Sequence, residues 1–212
     1  MEAGAALAAR EASADGINWV YSPMVDVAHD PRWGRIAEGY GEDPFLSGLM
    51  GAAAVRGYQG RHNEYDKGHV MACLKHYALY SATEAGKDYS CVDMSRLRMY
   101  NQYFPSYKAV IEAGVGSVMS SFNIVDGIPA TANKWLMTDV LRNQWHFGGF
   151  TVTDYASINE MTPLGYSEGA TSAVRALKAG TDMDMCALSF ETHIKSALDD
   201  GSLTMADVDK AV

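Results

Sequence analysis

Short apolar runs alternate with helical patterns along the whole chain, and this rhythm constrains the fold more than any other feature. Alternating strands and helices are typical of a parallel sheet, because each crossover must return the chain to the same sheet edge. The runs predicted to be strands are 17–25, 70–74, 117–121, 150–153 and 181–185. A chain of 212 residues is long enough for one domain with a real hydrophobic core.

Capping residues mark the helices between these runs. Asp43 followed by Pro44 predicts a helix start, because Asp accepts bonds from free N–H groups and Pro fits the first turn. Asn133 is predicted to cap another helix, which ends near Gly148. Pro105 is expected to kink or divide a helix over 95–113. The remaining helices are predicted at 1–12, 168–179, 191–198 and 204–212.

The strand count limits the choice of architecture. A closed (β/α) barrel has eight strands and typically ~250 residues. Five predicted strands therefore indicate an α/β fold that is either a partial barrel or an open doubly wound sheet.

Composition excludes several classes of function. The net charge of −9 argues against nucleic acid as a partner, since binding to phosphates needs a basic face. No apolar run approaches the ~20 residues of a membrane span, and no polybasic segment would hold the chain on an anionic membrane. Residues 1–12 have neither a basic start nor a long apolar stretch, so we predict a helix there and not a signal peptide. Both ends of the chain look cut.

The cysteines and acidic residues indicate no metal and no cofactor. Cys73, Cys91 and Cys186 lie far apart without a Cys-x-x-Cys pair, and they are predicted to be free thiols. The spacing of Asp26 and His29 matches no standard metal site.

Two predicted strands end in residues that carry chemistry. Lys75 and His76 follow the run 70–74, and Asp154 follows the run 150–153. Because an α/β barrel places its site at the carboxyl ends of its strands, we expect these side chains to meet on one rim. A carboxylate, a cation and an imidazole on one rim suit the cleavage of a sugar.

A long polar loop follows the first predicted strand near Asp26. Its arginines could fork sugar hydroxyls, and Trp33 could stack on a pyranose face. The alternative is an internal Asp–Arg network that only pins the loop.

Several motifs of the chain, in this order, resemble the amino-terminal catalytic domain of glycoside hydrolase family 3, and most closely bacterial β-glucosidases. They are DPRWGR at 30–35, EDP at 42–44, Lys75-His76, MSSFN at 119–123 with Gly127, and Thr153-Asp154. The resemblance implies a (β/α)8 TIM-type barrel of which about five to six of eight strands are present. It also implies that residues 1–212 form a single domain. The first barrel strands and the carboxyl-terminal α/β sandwich domain of the family would then be missing from this chain.

The resemblance also implies roles for individual residues. Asp154 matches the catalytic nucleophile of the family. Arg35, Lys75 and His76 match residues that bind the hydroxyls of the glycone, the sugar on the non-reducing side of the cleaved bond. Asp26 matches a strand-end position whose role we expect to be structural or indirect.

Two aromatic residues match positions that line the sugar site in the family. Tyr155 follows the nucleophile, where an aromatic side chain is common. Phe122 stands where the family often has Tyr, so a hydroxyl contact would be missing here.

Retaining hydrolysis has requirements that the chain meets only in part. A carboxylate nucleophile must be ionised, and a neighbouring Lys75 ammonium would favour that form of Asp154. Lys75 and His76 would point to opposite faces of a regular strand, so both can touch one ligand only if the strand has already ended. The second carboxyl, the general acid/base, is expected outside this chain, because Glu84 and Asp88 are poor candidates.

The sequence therefore predicts β-glucosidase-like, exo-acting, retaining hydrolysis of β-glycosidic bonds without a cofactor. The predicted partner is a β-glucoside or a short β-linked oligosaccharide, and a second copy or a complementing domain could complete the site. We expect the chain alone to be impaired and prone to associate through open strand edges. The alternatives are a non-catalytic sugar-binding remnant and a Schiff-base aldolase that uses Lys75. The family resemblance implies a periplasmic or secreted protein.

Overall fold

The sheet of this protein is parallel and follows the order of the chain. A computed structural model describes residues 1–61 and 66–212. Its strands are β1 (Cys73–Tyr77), β2 (Ser117–Ser120), β3 (Ile124–Val125), β4 (Ile128–Pro129) and β5 (Phe150–Val152). β1 pairs with β2 and β2 pairs with β5, both in parallel, while β3 and β4 form a small antiparallel hairpin.

Two further segments extend this sheet through isolated parallel bridges. Trp19 bridges to Met71 and Met24 to Lys75, so the predicted strand 17–25 lies beside β1. The segment 181–185 lies beside β5 through the bridge of Met183 to Val152. Neither segment forms a regular ladder, and in the first of them Pro23 has no N–H to donate.

The described segments decide between the two predicted architectures. Five parallel segments stand in the order in which they occur in the sequence. A doubly wound sheet would reverse its strand order at a switch point, and this sheet does not. The chain is an incomplete (β/α)8 barrel, as the sequence predicted.

The helices cover one face of the sheet. They are α1 (Glu2–Ala14), α2 (Pro44–Gln59), α3 (Arg96–Arg98), α4 (Phe104–Glu112), α5 (Gly169–Ala179), α6 (Ser189–Asp199) and α7 (Met205–Asp209). Two π-helical segments, Met99–Tyr103 and Trp135–Gln144, add to them. Short 3₁₀ turns occur at Pro31–Trp33, Ile36–Glu38, Tyr80–Ala82, Glu84–Gly86, Ala130–Ala132 and Asn159–Met161. Among the described residues, no helix is long and apolar enough to cross a membrane.

The predicted caps are confirmed, and several helix bounds differ. Asp43 accepts the N–H of Leu46 at 2.7 Å, and Asn133 accepts that of Leu136 at 3.2 Å. The helix predicted to reach Gly148 ends at Gln144. The helix predicted over 95–113 is divided into α3, a π-helical turn and α4, with a proline in the first turn of α4.

Alternating strand residues supply two separate cores. Leu74 and Val118 belong to the large core under the helices. Cys73 and Met119, their neighbours in sequence, pack with Val152 on the opposite face of the sheet. The strands therefore lie between two cores.

Candidate active site

Asp154 lies two residues beyond β5, at the carboxyl end of the sheet. Its side chain is 14 % exposed. Oδ1 accepts the N–H of Tyr155 at 2.7 Å. Oδ2 is buried and has no hydrogen-bond partner in the described structure. This oxygen is therefore an uncommitted acceptor at the rim.

His76 faces that free oxygen. Its Nε2 lies 3.6 Å from Asp154 Oδ2. On the other side of the ring, Nδ1 lies 2.9 Å from Asp26 Oδ2, which also accepts the His76 backbone N–H at 3.0 Å. The imidazole thus stands between two carboxylates, one fully buried and one at the rim.

The prediction that Lys75 and His76 follow the strand is wrong, because both lie inside β1, yet both reach the same part of the site. The pairing of β1 with β2 shifts register between Leu74 and Tyr77, so regular alternation does not hold where these two residues lie. Lys75 Nζ lies 4.0 Å from Glu38 Oε2. In the described chain no ion pair within 4.0 Å joins Lys75 to Asp154, so the cation-forming group beside that carboxylate is His76.

Glu38 also holds Arg35. The Arg35 guanidinium donates to both carboxylate oxygens, at 2.7 and 2.9 Å. This fork holds the pKa of Glu38 below its ordinary value, and the charges of Lys75 and His76 lower that pKa further. Three of the predicted glycone-binding side chains are therefore arranged around one ionised carboxylate.

Aromatic side chains form the wall behind these groups. Tyr80 meets His76 edge to face, with ring centroids 5.1 Å apart, and Arg35 lies 5.5 Å from its ring. Phe122, 8 % exposed, packs with Tyr80 and with the exposed ring of Tyr89. Phe122 thus supports the wall with little open surface, and its contact with a sugar stays a prediction.

The expectation that Trp33 stacks on a pyranose is wrong. Its ring is only 2 % exposed, and its Nε1–H donates to Asp88 at 3.0 Å. The alternative of an Asp–Arg network in this loop is confirmed for Asp30, which pairs with Arg32 at 2.6 Å. The ring of Trp33 is buried because it packs against Tyr80.

The other predicted residues are placed as follows. Tyr155 is 64 % exposed beside the rim carboxylate, where it can meet a ligand. Asp88 is bonded to the indole of Trp33 and to the N–H of Tyr89. Glu84 is an exposed residue of a 3₁₀ turn. Neither acid shows the burial that would hold a proton on a carboxyl group.

The residues that sequence reasoning missed include Glu38 and Tyr107. Glu38 carries a local signal, because a carboxylate three residues after Arg35 is spaced for an ion pair on one helical turn. Tyr107 of α4 carries no such signal. Its hydroxyl lies 2.8 Å from Asp26 Oδ1, a contact between residues 81 positions apart.

This arrangement suits nucleophilic chemistry. A carboxylate with one free oxygen can attack an electrophilic carbon, and the neighbouring fork, ammonium and imidazole can bind hydroxyl groups. Among residues 1–61 and 66–212, no group of three or more His, Cys, Asp or Glu is placed to hold a metal ion.

Comparisons with known proteins show which enzymes the chain is similar to. Over 206 residues the chain is 45 % identical to a periplasmic β-glucosidase of Salmonella typhimurium, covering 97 % of this chain and 27 % of that protein. It is 42 % identical to a β-xylosidase of Formosa agariphila, covering 84 % of this chain and 25 % of that protein. The chain thus spans about a quarter of the length of these curated relatives.

Solved structures and a family model extend the likeness over the whole chain. The crystal structure of a β-glucosidase from Listeria innocua in complex with glucose superposes with a TM-score of 0.95 at 42 % identity, over 99 % of this chain and 30 % of that one. The model described as the glycosyl hydrolase family 3 N terminal domain matches residues 1–212. The chain belongs to the glycosyl hydrolase family 3 N-terminal domain family.

Proposed function

We propose that the protein hydrolyses β-glycosidic bonds with retention of configuration, and that Asp154 is its nucleophile. One observation carries the proposal: Asp154 presents a buried, unpartnered carboxylate oxygen at the strand ends, 3.6 Å from the imidazole of His76. An acceptor with no donor of its own is free to bond to carbon.

In the proposed reaction, Asp154 Oδ2 attacks the anomeric carbon of the glycone as the bond to the aglycone oxygen breaks. That oxygen leaves with a proton from a general acid, and a glycosyl ester remains on Asp154. Water, deprotonated by the same acid/base, then opens the ester. Arg35, Lys75 and His76 would bind the glycone hydroxyls, and Tyr155 would line the rim.

We propose that residues 1–212 are one domain and that the general acid comes from a further part of the protein. The relatives that the chain matches are about four times its length. In the described structure Glu84 is exposed, and Asp88 is committed to Trp33. A complementing domain, or a second copy of the chain, would supply the missing carboxyl, and without it we expect turnover to be poor.

We propose a β-glucoside or a short β-linked oligosaccharide as the substrate. The names of the relatives include both β-glucosidases and β-xylosidases, so the identity of the glycone sugar is the first point to test. Aryl β-glucosides and aryl β-xylosides compared at equal concentration would decide it; faster release from the xyloside would overturn the choice of glucose. The periplasmic name of the Salmonella relative supports an extracytoplasmic site of action, which fractionation of cells would check.

Intact-mass spectrometry after incubation with an activated 2-deoxy-2-fluoro-β-glucoside tests the nucleophile. Its good leaving group needs little help from an acid, so the missing carboxyl should not prevent labelling. We expect one added glycosyl unit in the unmodified protein and none in Asp154→Asn. Asp139→Asn, a change at an exposed helix residue, is the matched control and should label normally.

Each result has a definite meaning. Labelling that persists in Asp154→Asn would refute this residue as the nucleophile. If no variant is labelled but calorimetry shows glucose binding, the chain is a sugar-binding module without catalysis of its own. Reduction by borohydride of an adduct with a keto substrate at Lys75 would instead reveal Schiff-base chemistry.

A further inference from the structure

Asp26 is a buried carboxylate that the proposed reaction does not yet use. It is 0 % exposed, and in the described structure no Lys or Arg lies within 4.0 Å of it. Burial of an unpaired charge is costly, so its hydrogen bonds must compensate. These bonds come from the backbone and ring of His76 and from the hydroxyl of Tyr107.

We propose that Asp26 is a positioning residue, which orients His76 and holds a proton on its ring so that Nε2–H faces Asp154. The inference rests on the proposed function, because it assigns a task to the pair His76–Asp154. It adds a task for His76 to the glycone-binding role that the family resemblance implies for this residue.

The bonds around Asp26 determine which nitrogen of His76 carries hydrogen. Three donor groups converge on the Asp26 carboxylate, and each of them needs an acceptor oxygen. An ionised carboxylate can only accept, so the Nδ1 atom 2.9 Å away must carry a proton. Nε2, the second ring nitrogen, is then the atom that faces Asp154.

The second nitrogen meets an oxygen that lacks a donor. If Nε2 were unprotonated, its lone pair would face the buried Asp154 Oδ2 across 3.6 Å. With a proton on Nε2, the same contact becomes an attraction between an imidazolium and a carboxylate. Glu38, whose pKa is also lowered by His76, adds negative charge on the same side. A hydrogen on Nε2 is therefore the arrangement that turns a donor towards the unpartnered Asp154 Oδ2.

Tyr107 anchors the arrangement to the helical layer. Its fully buried hydroxyl lies 2.8 Å from Asp26 Oδ1 and 3.0 Å from the backbone oxygen of His76, and it accepts the N–H of Leu79. With the backbone and ring of His76 both held by Asp26, the imidazole cannot turn without breaking these bonds. The ring is thus oriented before any sugar arrives.

This assignment gives His76 a changing role during the proposed reaction. In the free site, the imidazolium shares its charge between Asp26 and Asp154. When Asp154 becomes a neutral glycosyl ester, the ring keeps only the first of these anionic contacts. Asp26→Asn removes that remaining charge, so it should weaken the hold on the proton in both states.

The test compares Asp26→Asn with Asp30→Asn in the protein expressed from its full-length gene. Asp30 lies in the same loop, and among residues 1–61 and 66–212 its ion pair is with the exposed Arg32, so its variant controls for a lost carboxylate. One measurement is the rate of labelling by 2-deoxy-2-fluoro-β-glucosyl fluoride as a function of pH. The other is the ¹⁵N NMR signal of the His76 ring nitrogens, identified by its loss in His76→Gln.

We expect Asp26→Asn to slow labelling at least about tenfold, because it loses one charge-assisted hydrogen bond. Asp30→Asn should change the labelling rate little. In Asp26→Asn the NMR signals of the His76 ring nitrogens should shift, because Nδ1 then faces a neutral amide. The NMR signal should show both ring nitrogens protonated in the unmodified protein near neutral pH. Equal rates and pH profiles for both variants, or an unprotonated Nδ1 in the unmodified protein, would overturn the proposal.

The two measurements separate this inference from the proposed function. If the unmodified protein is not labelled, the proposed function fails, but the NMR signal of His76 still decides whether Asp26 holds the proton. If Asp26→Asn does not fold, as judged by thermal melting, Tyr107→Phe replaces it. That variant keeps the Asp26 charge and removes only its anchor, and an unchanged ring signal and labelling rate would again refute the positioning role.

Discussion

The contact between Gly149 and the backbone of Gly116 allows a sharp test of how β5 is held. A Cβ atom added at Gly149 would lie 2.1 Å from the carbonyl oxygen of Gly116, whereas ordinary contact begins at 3.4 Å. The obstacle is backbone, so no side-chain rotation can relieve it. The same oxygen accepts the N–H of Phe150, the first residue of β5. The substitution Gly149→Ala must therefore push β5 away from β2.

The adjacent glycine provides the control. A Cβ at Gly148 would meet nothing within 4 Å, and the residue is exposed. Overpacking costs up to about 3 kcal/mol, while a Gly→Ala change at a backbone position without positive φ, as at both of these glycines, gains roughly 0.4–1 kcal/mol by restricting the unfolded chain. Gly149→Ala should then lose about 2 kcal/mol of unfolding free energy, and Gly148→Ala should lose none.

Thermal melting followed by circular dichroism would measure both variants. For a chain of this size, about 2 kcal/mol corresponds to a fall in Tm of about 4–8 °C. Gly148→Ala should melt at or slightly above the temperature of the unmodified chain. If the two variants melt within about 1 °C of each other, the close approach of β2 and β5 does not limit the stability of the chain.

The thiols supply the remaining predictions. Iodoacetamide should alkylate the exposed Cys91 and Cys186 but not the buried Cys73. Intact-mass spectrometry should show two adducts on the folded chain. A third adduct would contradict the burial of Cys73. Burial raises the pKa of Cys73 from 9.0 to about 12, so the folded chain holds that proton more tightly than the unfolded chain. The resulting stability is present below pH 9 and lost as the pH rises towards 12, by at most about 1.4 kcal/mol per pH unit. Denaturant titrations over this pH range should show that the unmodified chain loses unfolding free energy more steeply than Cys73→Ala does. Equal losses in the two proteins would refute the contribution of Cys73.

The strand rhythm and the caps could be predicted because they depend on neighbours in the sequence. Asp43 and Asn133 cap their helices as predicted, since each bond spans three residues. The regularity of the segment 17–25 was not predictable, because bridges from Trp19 and Met24 depend on how the sheet curves. Periodicity indicates which residues are buried but not how many ladder bonds form.

The candidate site could be predicted only in part. The position of Asp154 follows from strand ends and from the family motifs. The roles of its neighbours could not be predicted in this way, because the motif does not show that the Arg35 guanidinium donates to both carboxylate oxygens of Glu38. Nor could pattern reveal Tyr107, whose contact with Asp26 spans 81 positions. Long-range polar contacts need the three-dimensional structure.

The sequential order of the sheet has a consequence for biosynthesis. Each parallel segment pairs with the one made before it, so during translation the sheet can grow by addition at one side. Asp26 and His76 are 50 positions apart and can meet long before the ribosome reaches Asp154. We therefore expect the buried carboxylate–imidazole pair to be in place when the rim carboxylate emerges, so that this residue joins an environment that is already formed.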